Sequence, residues 1–319
     1  MLALFAALCL LSIAVGSRSV PWSEIFSALG GATDTIGEAA VTKRIPRTVM
    51  AALAGASLAL CGAAMQGATR NPLAEPGLLG INMGAALAVV VGMVWFGLAT
   101  AAAYVWTAIA GAAVAAVFVY AVASLGRGGV TPLKLALAGA ATTVAFTSFV
   151  TAIVLRRSDL AEGVQSWQIG GVGGATFDSV VQVLPFLAAG FLLAMLSARR
   201  LNTLALGDEL AAGLGERVAI ARAVAALGAV LLCGATTAVC GPIAFVGLLV
   251  PHVVRLLVGI DYRWVLPFSA LGGACLLMAA DIVGRIIARP MELDVGIVTA
   301  FIGAPVFIWI VRNFRVREL

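Results

Sequence analysis

The stretch "RNPLAEPGLLG", Arg70 to Gly80, separates two long apolar runs. Ahead of it lies "AALAGASLALCGAAMQGA" (51–68), and behind it "INMGAALAVVVGMVWFGLA" (81–99). It holds an arginine, an asparagine, a glutamate and two prolines. Pro72 and Pro76 stop any helix that enters it. If the flanking runs are membrane spans, irregular backbone between them is tolerated where it lines a cavity or is buried in protein. A membrane bundle with a broken, polar turn at one end is therefore the first expectation.

The rest of the chain supports the membrane reading. Of 319 residues, 62% are hydrophobic and 11% charged, against roughly 25% charged in an average soluble domain. The mean hydropathy is +1.09. A water-soluble fold of this size could not hide that much apolar surface, so the bilayer is its solvent. Lipid offers the backbone no hydrogen bonds, and long continuous apolar runs favour helices over a barrel. Ten runs are legible, at about 2–16, 47–68, 80–98, 101–124, 133–155, 178–198, 218–240, 243–259, 265–284 and 294–311. The expected fold is an all-α integral membrane bundle of about ten spans, forming one domain over residues 1–319. The first run lacks a basic n-region and an A-x-A site, so it reads as a short span rather than a cleaved signal.

Charge gives the orientation. The net charge is +5 and the pI about 9.3, yet the arginines are scattered singly or in pairs, with no basic tract for nucleic acid. With both termini inside, the inner side holds Arg70, Arg127, Lys134, Arg199, Arg200, Arg217, Arg222, Arg255, Arg263, Arg312, Arg315 and Arg317. The outer side holds Arg18, Lys43, Arg44, Arg47, Arg156, Arg157, Arg285 and Arg289. Twelve against eight satisfies the inside bias. Arg44, Arg47 and Arg285 run against it. Two readings stay open for them: anchors on lipid headgroups, or partners for carboxylates of another protein.

Packing is legible too. Gly55, Gly62 and Gly67 make 51–68 small on nearly every face, which suits the middle of a bundle. In "QIGGVGGATF" four glycines in five residues break a helix, and with "LAEGVQSW" before them they predict a short helix and a turn at the outer face.

Some chemistry is missing. The chain has no G-x-x-x-x-G-K-[ST], so it carries no Walker nucleotide site. His252 is the only histidine, which excludes histidine-rich metal ligation. Cys9, Cys61, Cys233, Cys240 and Cys275 lie in apolar runs without C-x-x-C spacing and read as buried thiols. No nucleophile–base pattern suggests catalysis. Asp281 stands in a span with Arg285 one turn on, and the two are expected to pair near the outer border. The absence of deeper titratable groups disfavours an ion-coupled secondary transporter, which is kept as the alternative of another class.

The segment "LNTLALGDELAAGLGERVAIAR" (201–222) departs from the span pattern at the inner face. Asp208 and Glu209 follow Gly207, where a helix N-terminus favours acids. Leu210, Ala211 and Leu214 give one apolar face, and Gly213 and Gly215 end the helix. A lipid-surface helix would carry basic residues on its polar edge. This acidic start points to a protein partner.

Taken together, the segments 44–82, 204–215, 241–259 and 292–312 resemble the permease subunits of bacterial ABC importers for ferric siderophores, haem and cobalamin. The carboxy-terminal third, with "GPIAFVGL", "DYRWVLP" and "FIGAPVFIW", is most similar to the ferric-enterobactin members, whereas "WQIGGVGGATF" is closer to the cobalamin form. The resemblance implies a type II importer bundle of ten helices in the bacterial inner membrane. It implies a second permease subunit, identical or paralogous, and two cytoplasmic ATPase subunits that bind ATP and Mg, this chain holding no cofactor or metal. A periplasmic or lipid-anchored binding protein would deliver the substrate: ferric siderophore first, with haem or cobalamin as the alternative. It also implies roles by position. Asn71 and Leu73, with Thr131 and Pro132, would narrow the cytoplasmic exit. Arg44, Arg47 and Arg285 would meet glutamates of the binding protein. Gly207, Asp208, Glu209, Leu210 and Leu214 would enter the ATPase.

Overall fold

A computed structural model of the chain describes residues 1–77, 79–98, 100–125 and 131–313. Arg127, Arg315 and Arg317, counted above for orientation, lie outside the described residues, and of Pro132 only the backbone is described.

The described residues form thirteen helices. These are α1 (Leu2–Ala14), α2 (Trp22–Leu29), α3 (Ile36–Thr69), α4 (Ile81–Phe96), α5 (Ala101–Ser124), α6 (Pro132–Leu155), α7 (Ser158–Ile169), α8 (Phe177–Leu204), α9 (Asp208–Gly213), α10 (Val218–Cys240), α11 (Val246–Val258), α12 (Tyr262–Ile287) and α13 (Val295–Asn313). Six are long and apolar enough to cross a membrane: α3, α5, α6, α8, α10 and α12. Four more stretches, α1, α4, α11 and Val295–Ile308, are apolar but shorter.

α3 starts eleven residues earlier than the sequence predicts, because Lys43, Arg44 and Arg47 look like a membrane border but lie inside the helix. Its start is fixed by a reciprocal cap. The Glu38 N–H donates to Thr35 Oγ1 (3.1 Å), and the Thr35 N–H donates to Glu38 Oε2 (3.0 Å). α7 and α9 stand where a short outer helix and a short polar-to-apolar helix are expected.

α3 runs through the centre of the bundle and is buried along most of its length. Its glycines set how closely neighbours approach. A Cβ on Gly55 would collide with the Gly273 carbonyl of α12, and one on Gly62 with the Gly247 carbonyl of α11. Gly67 takes the ring of Tyr262. These pairs also give a ruler along the bundle. Arg47 meets Asp281 near one end, and Gly67 meets Tyr262 near the other. The distance between these levels is about 30 Å at 1.5 Å per residue.

Against that ruler, α4 and α11 begin inside the bundle. Arg222 of α10 bonds to Ala68, but further along the same helix Cys61 donates to Ala229 O (3.3 Å) and Cys233 lies 2.5 Å from Asn82 Oδ1. Asn82 is the second residue of α4. After α3 ends at Thr69, the chain therefore climbs back by roughly 12 Å before α4 starts. α11 likewise starts beside Gly62, after an extended return from the end of α10 at Cys240. The turn expected at the bundle's end is a re-entrant segment.

Candidate functional site

The polar chemistry lies in two regions, toward opposite ends of α3.

The re-entrant segment Arg70–Gly80 begins at a left-handed Arg70 (φ 52°). The Asn71 N–H donates to Gln66 O (3.2 Å), and Asn71 Oδ1 accepts the Leu73 N–H (3.0 Å), which tightens the turn without a helix. Pro76 then packs on Gly247, and Gly77 O accepts the Thr143 hydroxyl of α6 (3.0 Å). Asn71 and Leu73 sit at the bundle's end, as the gate reading requires. Thr131 caps the start of α6 by accepting the Lys134 N–H (3.3 Å). It lies twelve residues, about 18 Å of helix, before the contact at Thr143. The bond to Thr143 thus lies well along α6 from Thr131.

Three polar residues that sequence reasoning missed, the buried Gln66 and Glu75 and the half-buried Arg255, tie α3 and this segment to α11. Gln66 Nε2 donates to Gly247 O (3.3 Å) and Leu248 O (3.5 Å), while Arg255 of α11 donates to Gln66 Oε1. The carboxyl of Glu75, only 7% exposed, lies beside the backbone of Phe245, the residue that opens α11. Its Oε2 has no hydrogen-bond partner among the described residues. A helix N-terminus offers an acid partial positive charge, which offsets some of the cost of burying it. Phe245 itself is left-handed (φ 69°), a conformation that costs a bulky residue about 1–3 kcal/mol. Gly303 of α13 makes room for its ring. The signal for Gln66 was available, as a lone amide in an otherwise apolar run.

At the same end, α9 projects from the protein. Ala211 is fully buried, but Leu210 is 63% and Leu214 69% exposed. Gly207 precedes the helix at φ 107°, a value that favours glycine. Asp208 pairs with Arg222 of α10 (2.9 Å). The side chain of Arg70 lies beside Gly207. The structure thus brings the expected gate turn and the expected coupling segment together.

The other region is an arginine cluster. α1 ends at Ala14, and its last carbonyls lack intrahelical partners. Arg44 Nη1 donates to Ile13 O (3.1 Å) and Ala14 O (3.0 Å), and Nη2 to Arg18 O (2.8 Å). Arg285 Nη1 donates to Ser12 O (2.8 Å) and Val15 O (2.9 Å). Asp281 joins the group: Oδ1 accepts from Arg47 (2.8 Å), and Oδ2 lies 2.8 Å from Arg285 Nη2 as an ion pair, without hydrogen-bond geometry. Arg47 also holds Glu292 (2.5 Å). The expected Asp281–Arg285 pair is present. The three arginines expected to face outward are instead turned inward: Arg44 is 7% and Arg285 1% exposed, and the Arg47 side chain 12%. The cause is local, since cations suit the carbonyl end of α1. Around them Arg18, Lys43 and Arg289 are exposed. Beyond the helices, burial pushes the Glu292 carboxyl up, but hydrogen bonds from Arg47 and Ser17 outweigh it and hold it below its usual range. Asp294 is raised, chiefly by burial. Among the described residues no group of three or more His, Cys, Asp or Glu could hold a metal ion.

The match to known proteins follows the whole chain, both regions included. The model of the FecCD transport family matches residues 4–313. The chain belongs to this family. Among FecCD relatives, the iron(3+)-hydroxamate import system permease protein FhuB of Bacillus subtilis is 43% identical over 321 residues, covering 98% of this chain and 83% of that protein. The ferric enterobactin transport system permease protein FepD of Escherichia coli is 43% identical over 305 residues (95% and 91%). The hemin transport system permease protein HmuU of Yersinia pestis is 36% identical over 325 residues (99% and 95%). A solved inward-facing metal-chelate type ABC transporter superposes with a TM-score of 0.82 at 25% identity, covering 98% of this chain and 97% of that one. The FecCD chain is therefore a multi-pass ABC-importer permease, and the ion-coupled alternative is set aside.

Proposed function

We propose that the chain forms the translocation pathway of an ATP-driven importer carrying ferric siderophore across the bacterial cytoplasmic membrane. The observation that carries this reading is the placement, at one end of the bundle, of α9 and its exposed leucines next to the end of α3, with Gly207 beside Arg70 and Arg222 bonded to both Asp208 and Ala68. Such a helix suits seating in a groove of a cytoplasmic ATPase subunit, and the segment beside it suits a gate. In this reading the six long helices and four short apolar ones make ten spans. Both termini lie inside, and the arginine-bearing end faces outside to receive a binding protein. A second permease subunit completes the pathway. ATP and Mg are bound by the ATPase partners, and this chain is neither an enzyme nor a cofactor carrier. The siderophore assignment draws on the hydroxamate and enterobactin relatives. Haem is the second reading, favoured by the likeness to the hemin permease.

The test has two parts. Co-expressed with its partners, the wild-type chain should retain an ATPase subunit through purification. The Leu210→Asp, Leu214→Asp variant should lose it while staying in the membrane, and retention of normal coupled ATP hydrolysis by that variant would refute the coupling role. Affinity of the binding protein for a panel of ferric siderophores, haem and cobalamin then assigns the substrate.

A further inference from the structure

Arg222, one turn into α10, joins two elements that share no other bond described above. Its Nε donates to the Ala68 carbonyl (3.0 Å), and its Nη2 to Asp208 Oδ1 (2.9 Å). Ala68 lies in the last turn of α3, where carbonyls have no intrahelical partner. Two residues later Arg70 turns left-handed and the re-entrant segment begins. Asp208 is the first residue of α9. One planar guanidinium thus spans from the foot of α9 to the root of the gate segment. We propose that Arg222 is a positioning residue that transmits displacement of α9 to the Arg70–Gly80 segment. The proposal rests on the reading of α9 as the ATPase contact.

The chemistry favours arginine. Its donors leave a rigid fork in fixed directions, so Ala68 and Asp208 are held at a set separation. A lysine could hold either partner but not fix the distance between them. The group is one-third exposed and Asp208 about half exposed, and ion pairs of that kind add little to stability. Loss of Arg222 should therefore leave the fold intact and disturb what passes between the two elements. This separates transmission from a merely structural role.

The experiment uses the complete complex, with its ATPase and binding protein, in liposomes, reading ferric siderophore uptake and ATP hydrolysis separately. Couplings between sites typically amount to 5–150-fold. Arg222→Gln and Arg222→Lys are expected to assemble, melt as wild type does and hydrolyse ATP, yet to import about fivefold less siderophore per ATP. The exchange Asp208→Arg with Arg222→Asp restores the ion pair but not the donor to Ala68, and it should stay uncoupled. Wild-type uptake per ATP in Arg222→Gln or in the exchange overturns the proposal. So does dissociation of the ATPase in Arg222→Lys, which would make the residue structural. If the Gln variant fails to fold, the Lys variant decides by the same ratio. Failure of the α9 reading shows elsewhere, as normal coupling in the Leu210→Asp, Leu214→Asp variant.

Discussion

Arg47 of α3 and Asp281 of α12 meet through two bonds to a single oxygen: Nε at 3.0 Å and Nη2 at 2.8 Å from Oδ1. The other oxygen is held by Arg285, so Asp281 is the shared counter-charge of two arginines. Removing one partner from a buried pair typically costs about 3–5 kcal/mol, because the other charge is left unpaired. Asp281→Asn should therefore lower the melting temperature of the purified protein by several degrees. Adding Arg285→Gln should then cost less than the same change does in wild type, because the charge it removes has already lost its partner, while its donors to Ser12 and Val15 are lost in either background. Additive losses in the double variant would mean that the two residues do not act as a pair.

Docking at this end cannot be tested by reversing Arg44 or Arg285 alone, since either change removes donors from the carbonyls that close α1. The informative positions are the exposed Arg18 and Lys43, since Arg289, though exposed, also donates to the Gly16 carbonyl (2.6 Å). Partly exposed pairs contribute about 0.2–1 kcal/mol each. Changing both to Glu should weaken binding-protein association roughly two- to thirtyfold at low salt, and the loss should shrink as salt screens it. Unchanged association of the binding protein with the double variant in nanodiscs returns these cations to the lipid headgroups.

The gate reading makes a labelling prediction. Single cysteines at Asn71 or Leu73, in a chain stripped of its five native cysteines, should change in thiol labelling when ATP is bound or hydrolysed by the complex. A cysteine at Thr131 should change with them if α6 closes on the segment. Labelling at 71 and 73 that is blind to nucleotide would remove the segment from the gate.

A pH prediction concerns Asp294, at the start of α13. Its raised pKa means that the folded state disfavours the ionised form. This carboxylate therefore detracts from stability at neutral pH, and the penalty is relieved as pH falls and the group takes up a proton. Asn keeps the size and shape of the side chain without the charge. Asp294→Asn should melt higher than wild type at pH 7, and the gain should vanish as pH drops below the ordinary Asp value of about 3.9. A gain that is constant with pH would point to something other than charge.

How far the sequence could be read depended on what decides each feature. Span positions are decided by the solvent, and apolar runs marked α5, α6, α10 and α12 to within three residues, while α8 runs six residues past its apolar run through Arg199, Arg200 and Asn202. The pairing of Asp281 with Arg285 follows from helical spacing. The start of α3 was misjudged because a charge reads as a border unless its partners are known. The partners of Arg44 are carbonyls of residues 13, 14 and 18, and nothing in a linear pattern shows that they lie nearby. The depth of the re-entrant segment was hidden for the same reason. Its prolines announce a break, but only contacts with Gly247 and Phe245 reveal how far the chain climbs back. Thr131 caps its own helix, and only the resemblance ties it to the gate.

The interlocking of the two half-length helices bears on how the chain can be recombined with its relatives. Segment 66–82 and segment 241–255 are far apart in sequence, yet they share Gln66, Glu75, Phe245 and Arg255 as one interlocked set of contacts. A graft that exchanges either segment alone brings two separately matured halves together across a joint with no tolerance for mismatch. Shuffled permeases should survive when both segments travel as a single cassette and fail when the crossover falls between them.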